Sequence, residues 1–379
     1  MRAAKRLLTG ALALALSALP AAATWSIVVV DTATGEVAMG GATCISTPNL
    51  KRTLAVVRVG QGIAAAQAVI DSTGANRLII WNGFIAGDSP QTILDTLALS
   101  DPQHIGRQYG IVDLFSPPVT YTGAGTDPAN LGVAGELGTL RYAIQGNVLA
   151  GDPVVFEAEK ALLETQGDLS QRVMAAMEAA RAYGGDGRCS CGLGMETDCG
   201  SPPPYFRQSA RTAFLIVARI GDQDGVCNAL QGCANGTFWV DLWDVEPAKQ
   251  LDPVTNLERL YGAWRKTMVG RPDQVESRMV LDKAQLPADG SSQAGIEIDL
   301  HDLEGGPVAN PSSLVLTVQH LSGGTPVSTP GPVQDLGNGR FRIPLTAGVL
   351  AGQDTWRVWV DDGVSEVALQ PDPVLTVGP

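Results

Sequence analysis

Histidine is nearly missing from this chain: of 379 residues only His104, His301 and His320 carry an imidazole. The last two lie in the C-terminal part, so a Ser-His-Asp or Cys-His arrangement in the main body would have to use His104. That residue sits in the polar loop Asp101-Pro102-Gln103-His104 and reads as solvated. There is no G-x-S-x-G elbow, no H-E-x-x-H pair and no glycine loop of the phosphate-cradling kind. The usual hydrolase and nucleotide-binding chemistries are therefore weakly supported, and no cofactor and no metal centre is expected. Basic residues are also scarce: 26 Lys and Arg against 39 Asp and Glu leave a formal charge of −13. Such a balance disfavours nucleic acid and anionic lipid as partners. Long apolar runs are absent beyond the first residues, and no segment reaches the roughly 20 residues a membrane-spanning helix needs.

What is present begins at the N-terminus. Arg2, Lys5 and Arg6 precede an apolar run from Leu7 to Leu19 and the small residues Ala21-Ala22-Ala23. This is the three-part pattern of an export signal. Residues 1–23 are expected to be removed, placing the protein in the periplasm, at the cell surface or outside the cell. No cysteine stands at the cleavage site, which argues against a lipoprotein. All six cysteines, Cys44, Cys189, Cys191, Cys199, Cys227 and Cys233, survive the cut, and an even number in an exported chain points to disulfides. Cys227 with Cys233 is the favoured pair, because they flank a short Gly/Asn-rich loop. Cys189, Cys191 and Cys199 also suit a zinc cluster by spacing, but they have no nearby histidine and an oxidising compartment, so a stapled surface loop is the better reading.

Cutting after Ala23 exposes Thr24 at the head of a β-branched run, Ser26 to Val30, followed by the turn Asp31 to Gly35 and a second strand, Glu36 to Thr43. Strands are expected over Thr53 to Val59 and Gly62 to Ala68, and helices over Ala75 to Gly83 and Pro90 to Leu99. Gln108 to Phe115 and Val119 to Thr122 read as a hairpin, and Leu140 to Gln145 as a strand leading into a Gly146-Asn147 turn. Amphipathic helices follow over Pro153 to Thr165 and Leu169 to Tyr183, then a Cys-rich insertion over 188–207 and strands over Thr212 to Ile220 and Thr237 to Leu242. A last helix, Pro253 to Lys266, ends before Gly270-Arg271-Pro272, where the domain boundary is placed. Residues 24–270 form the first domain. The order of elements fits an α+β, four-layer αββα sandwich. From 275 to 379 the texture changes to short alternating stretches such as Gly295 to Leu300, Arg340 to Leu345 and Thr355 to Val360, the pattern of an all-β sandwich.

An N-terminal threonine needs no histidine. Its α-amino group has a reference pKa of roughly 7.7 to 8.0, so near neutrality part of it is unprotonated and can take the hydroxyl proton, directly or through a water. Thr24 is then nucleophile and base in one residue. The alternative is that Thr24 merely follows a convenient cleavage site.

Several stretches carry a resemblance: Thr24 to Asp31, Gly60 to Ala68, Gln145 to Ala150, Gly184-Gly185-Asp186 with Arg207-Gln208-Ser209-Ala210 beyond the insertion, and Leu242, Asp252-Pro253-Val254 and Leu257 to Leu260. Together they resemble an uncharacterised bacterial family with an Ntn-hydrolase-like fold, domain of unknown function 1028, over about residues 24 to 266. The insertion splits a motif that this family keeps compact, and Trp243 to Glu246 replaces a run that usually contains histidine. The resemblance implies the αββα fold, a threonine at the mature N-terminus and pairing into a homodimer, but no substrate. The stretches Ala288 to Ser292 and Asp302 to Val308 resemble bacterial immunoglobulin-like domains of the invasin and intimin type, which implies a spacer or display module.

The candidate site is Thr24 as nucleophile and base, Asn147 as amide donor to an oxyanion, and Gln67 as a pocket amide. Asp186, Arg207 and Ser209 would orient the amine; a salt-bridged loop anchor explains Asp186 and Arg207 equally well. Two functions follow: an exported hydrolase acting on a small-molecule or peptide amide, or an ester, through an acyl-enzyme; and a catalytically silent scaffold for surface adhesion or ligand binding.

Overall fold

The computed structural model describes residues 24–246, 251–308 and 311–378. The expected export signal, 1–23, lies outside the described residues.

The first hairpin forms where the β-branched run dictates. Strand β1 (Thr24–Asp31) pairs antiparallel with β2 (Val37–Thr43). The Asp31 carboxylate accepts the Ala33 N–H at 2.8 Å, and Gly35, at φ +76°, makes the left-handed step that a side chain resists. Helix α1 (Leu50–Leu54), β3 (Ala55–Arg58) and β4 (Gly62–Ala68) follow. The expected strand from Thr53 thus starts two residues late: the Thr53 hydroxyl bonds back to the Asn49 carbonyl at 3.1 Å, and Leu50 and Leu54 share one buried helical face.

Helices α2 (Ala75–Ala86) and α3 (Pro90–Ser100) precede the hairpin of β5 (Arg107–Asp113) and β6 (Val119–Thr122). Ser89 caps α3 by accepting the Thr92 N–H, with Pro90 at the first helical position. Strand β7 (Leu131–Leu137) is an edge strand whose Gly132 and Gly135 concealed it in the sequence. It pairs with β8 (Leu140–Asn147). Gly146 and Asn147 therefore belong to a strand, and the left-handed residue is the next one, Val148, at φ +52°.

Helices α4 (Pro153–Glu164), α5 (Leu169–Ala182) and the short α6 (Gly187–Ser190) lead to β9 (Thr212–Ala218), β10 (Val240–Val245) and α7 (Pro253–Met268). Strand β10 lies three residues beyond its expected start, as an edge strand on β9.

A six-stranded sheet, β10-β9-β2-β1-β8-β7, faces a four-stranded sheet, β3-β4-β5-β6. Even-numbered β1 residues Val28 and Val30 meet Ile63, Ala65 and Val112 between the sheets. Odd-numbered Trp25, Ile27 and Val29 pack outward on α4, α5 and α7 through Val154, Leu162, Val173, Met177 and Leu257. Ile80 and Phe84 of α2 and Ile93 and Leu97 of α3 cover the other sheet. Burial on both faces is why the β1 run is continuously apolar rather than alternating.

Beyond α7 the chain is all β: β11 (Arg278–Leu281), β12 (Gln285–Pro287), β13 (Gln293–Asp299), β14 (Val315–His320), β15 (Ser328–Pro330), β16 (Gln334–Gly337), β17 (Arg340–Ala347), β18 (Gly352–Asp361), β19 (Glu366–Ala368) and β20 (Val374–Gly378). Two five-stranded sheets enclose Ile296, Ile298, Phe341, Ile343, Trp356, Val358 and Val360. The two regions are joined by buried charge. Arg219 donates through Nε to Glu36 at 2.7 Å and through Nη1 to Asp273 at 2.6 Å, and its guanidinium lies 3.2 Å from the Trp239 ring centroid. Gln274 donates to the carbonyls of Ile220 and Ala368, both at 2.6 Å.

Candidate functional site

Alternation along the strands brings six polar side chains to one end of the space between the sheets. Thr24 and Ser26 share the inner face of β1 with Val28; Gln145 and Asn147 share that of β8 with Ala143; Gln67 follows Ile63 and Ala65 on β4, and Gln108 precedes Val112 on β5. All six are at most 1% exposed. Register opposes Thr24 to Asn147 and Ser26 to Gln145. The apolar filling of the sheets thus gives way to a layer of amides at the end where β1 starts.

Burial demands that these amides be satisfied, and the bonds they make fix how each is turned. Gln108 Nε2 lies 3.2 Å from the Leu131 carbonyl and 2.9 Å from the Gly146 carbonyl, so this end of the amide is the donor and Oε1 is the acceptor. That oxygen takes Gln67 Nε2 at 2.8 Å and Asn147 Nδ2 at 3.1 Å. Gln67 Nε2 also donates to the Thr24 carbonyl at 3.0 Å, and its Oε1 accepts the Ser26 hydroxyl at 2.7 Å. Ser26 Oγ accepts from Gln145 Nε2 at 2.6 Å. Among these groups Asn147 Oδ1 is left buried with no partner.

Asp186 lies beside this layer and is fully buried. It caps α6 by accepting the Arg188 N–H at 3.1 Å, receives the Cys44 N–H at 2.6 Å, and pairs with Arg188 through Nε at 3.1 Å and Nη2 at 2.7 Å. Burial pushes its carboxyl above the ordinary value, outweighing the nearby Arg188 guanidinium. Arg188 Nη2 also reaches the Thr43 hydroxyl at 3.4 Å, on the strand beside β1.

Arg207, expected beside Asp186 in the pocket, is exposed, and the salt bridge of Asp186 is made with Arg188, inside the Cys-rich segment. The helical turn of α6 carries Arg188 back onto the carboxylate two residues before it. Ser209 is buried, accepts the Asp186 N–H through its carbonyl at 2.9 Å, and donates its own N–H to Asp252 at 2.5 Å. Its hydroxyl and Trp25 Nε1 are buried without partners, and both residues crowd Gly185, whose Cβ, if present, would lie 2.8 Å from Trp25 Nε1 and 2.9 Å from Ser209 Cβ.

Thr24, Gln67 and Asn147 are therefore brought together, Asp186 and Ser209 are linked to each other behind them, and Arg207 stands apart. Sequence reasoning missed Ser26, Gln108, Gln145 and Arg188. The signal for the first three was polar side chains recurring at period two at the ends of otherwise apolar strands. His104 is not freely solvated: its ring stacks on Tyr121 at 4.1 Å, and burial lowers its pKa.

The cysteines form three disulfides, Cys44–Cys189, Cys191–Cys199 and Cys227–Cys233. These bonds take up the three sulfurs that a zinc cluster would have used. The first ties the end of β2 to α6, hence to Asp186 and Arg188. Among the described residues, no helix is long and apolar enough to cross a membrane.

The class these features define is a mixed helix-and-sheet domain carrying a buried amide layer, followed by an all-β sandwich. Residues 24–201 match the family model described as "Family of unknown function (DUF1028)". A crystal structure of protein SPO2555 from Silicibacter pomeroyi, described with the same family, is similar at 19% identity, over 64% of this chain and 85% of that one, with a TM-score of 0.47. The adhesin InvE of Yersinia pseudotuberculosis is similar at 21% identity over 28% of each chain, with a TM-score of 0.24. The D00-D0 domain of intimin is similar at 11% identity, over 44% of this chain and 64% of that one, with a TM-score of 0.23. No curated protein matches the chain.

Proposed function

We propose that the first domain is an exported hydrolase of the N-terminal-nucleophile class, with Thr24 as its nucleophile once residues 1–23 are removed. The observation that carries this reading is the position of Thr24: it begins β1, an inner strand of the six-stranded sheet, at the amide-lined end of the inter-sheet space. Two facing sheets covered by helices on both outer sides suit the αββα architecture of that class. The family match beginning at residue 24 and three disulfides, compatible with an extracellular or periplasmic location, support it further.

The chemistry follows from the mature N-terminus. The neutral α-amine takes the hydroxyl proton as Oγ attacks the carbonyl of an amide or ester. The tetrahedral oxyanion collapses, the leaving amine or alcohol departs with that proton, and an acyl-threonine ester remains. Water, deprotonated by the same amine, then releases the acid and restores Thr24.

A silent scaffold for adhesion or ligand binding is the second reading, favoured by the near-complete burial of Thr24. Incubation of the mature protein with a β-lactone separates the two. The hydrolase reading predicts a single acyl adduct on Thr24, lost in Thr24→Ala with the melting temperature nearly unchanged. Absence of any adduct supports the scaffold, and an adduct that survives Thr24→Ala refutes Thr24 as the nucleophile.

A further inference from the structure

We propose that Asn147 serves Thr24 as a hydrogen-bond acceptor: its Oδ1 holds the α-amine that removal of residues 1–23 creates. The inference rests on the Thr24 hydrolase reading and replaces the oxyanion-donor role expected for Asn147. Three features of the structure lead to it.

The direction of the Asn147 amide is not free. Gln108 is anchored by the backbone carbonyls of Leu131 and Gly146, which can only accept, so it must present Oε1 to Asn147. Asn147 answers with Nδ2, which commits one of its N–H groups and turns Oδ1 away from Gln108. Second, Oδ1 is the group left wanting: it is buried and without a partner, on a residue 0% exposed. An unsatisfied buried acceptor costs more than a hydrogen bond to water would return, and a donor arriving there gains that difference. Third, antiparallel register places Asn147 directly opposite Thr24, on the same inner face of adjacent strands. Processing turns the Thr24 backbone N–H, a single donor, into an amine with two protons or an ammonium with three. The cut thus supplies new donors beside a strand position that holds a buried acceptor in want of one.

An acceptor oxygen stabilises the ammonium more than the neutral amine, so Asn147 holds the amine's pKa up and points its lone pair by fixing its protons. Asn147 is accordingly a positioning residue, acting on Thr24 and not on the substrate.

The test titrates the amine itself. The mature protein and its Asn147→Ala and Asn147→Asp variants are labelled competitively with acetic anhydride across the neutral and alkaline range, and the modified N-terminal peptide is quantified by mass at each pH. Asn147→Ala should lower the apparent pKa of the Thr24 amine by about one unit, and Asn147→Asp, which keeps an acceptor and adds negative charge, should raise it by about as much. Thermal melts identify a variant that does not fold, and the other variant then decides the sign alone. An amine pKa unmoved in the folded variants, with β-lactone acylation slowed in both, overturns the proposal in favour of an oxyanion donor. The readout needs no turnover. Opposite pKa shifts in a protein that takes no β-lactone keep Asn147 as the amine's acceptor and remove the hydrolase reading.

Discussion

Gln108 governs the residues beneath Thr24, because its two carbonyl anchors orient Gln67 and Asn147 together. Gln108→Leu should therefore cost about 2–4 kcal/mol in urea unfolding, since it leaves several buried donors and acceptors unpaired at once. Gly185 is the second sensitive position. It adopts φ +54°, and a Cβ there would lie within 2.9 Å of both Ser209 Cβ and the Ser209 carbonyl. Gly185→Ala should destabilise by about 2 kcal/mol or more, measured in the same way. At this scale the sequence was partly legible. Gln67 stood out as a lone amide ending an apolar strand, and Thr24 by its place after Ala-Ala-Ala. Gln108 was placed at the start of a strand, but a polar residue at a strand end does not by itself show which way its side chain points. Arg188 was hidden by its setting among cysteines and glycines, where no periodicity marks a position as inward.

Helix caps and disulfides decide the elements. Asp168 caps α5, accepting the Gln171 N–H at 3.0 Å and pairing with Arg265 at 2.5 Å. Burial alone would raise its carboxyl, but the hydrogen bonds from Ser170, Arg265 and Gln171 together hold it below the ordinary range. A carboxylate whose folded pKa is depressed stabilises the protein above its unfolded value, near 4, and loses that contribution as pH falls through the folded value. Asp168→Asn should thus cost about 1 kcal/mol at neutral pH, and the difference from the wild type should shrink as the solution is acidified, followed by urea unfolding at several pH values. The Cys44–Cys189 bond closes a loop across 145 residues and holds α6 to β2. Replacing both cysteines by alanine should cost on the order of 4–5 kcal/mol by chain entropy. Hydrogen exchange should show the loss concentrated around Asp186 and Arg188. Helix ends were readable from Ser89-Pro90 and Asp252-Pro253, whose chemistry is local. The β7 strand was not, because its glycines lower strand propensity and only pairing with β8 makes it a strand.

In the whole molecule the two regions meet at Arg219, buried between Glu36 and Asp273. Burial raises the Glu36 carboxyl even with Arg219 beside it, so the pair is held by geometry and stranding either partner is costly. Arg219→Met should lower stability by about 3–5 kcal/mol and split a single calorimetric transition into two, one for each region. The change from mixed elements to short alternating strands was visible in the sequence, since it is written in periodicity. The arginine that links the two regions was not, because its partners lie 183 and 54 residues away.

Whether Thr24 is the first residue of the working domain and its nucleophile is decided first by the mass of the N-terminal peptide of the protein recovered after expression with its full leader. The expected peptide begins at Thr24 with a free α-amine. A peptide that begins at another residue, or at Thr24 with its amine blocked, would leave Thr24 without its base and rule it out as the nucleophile.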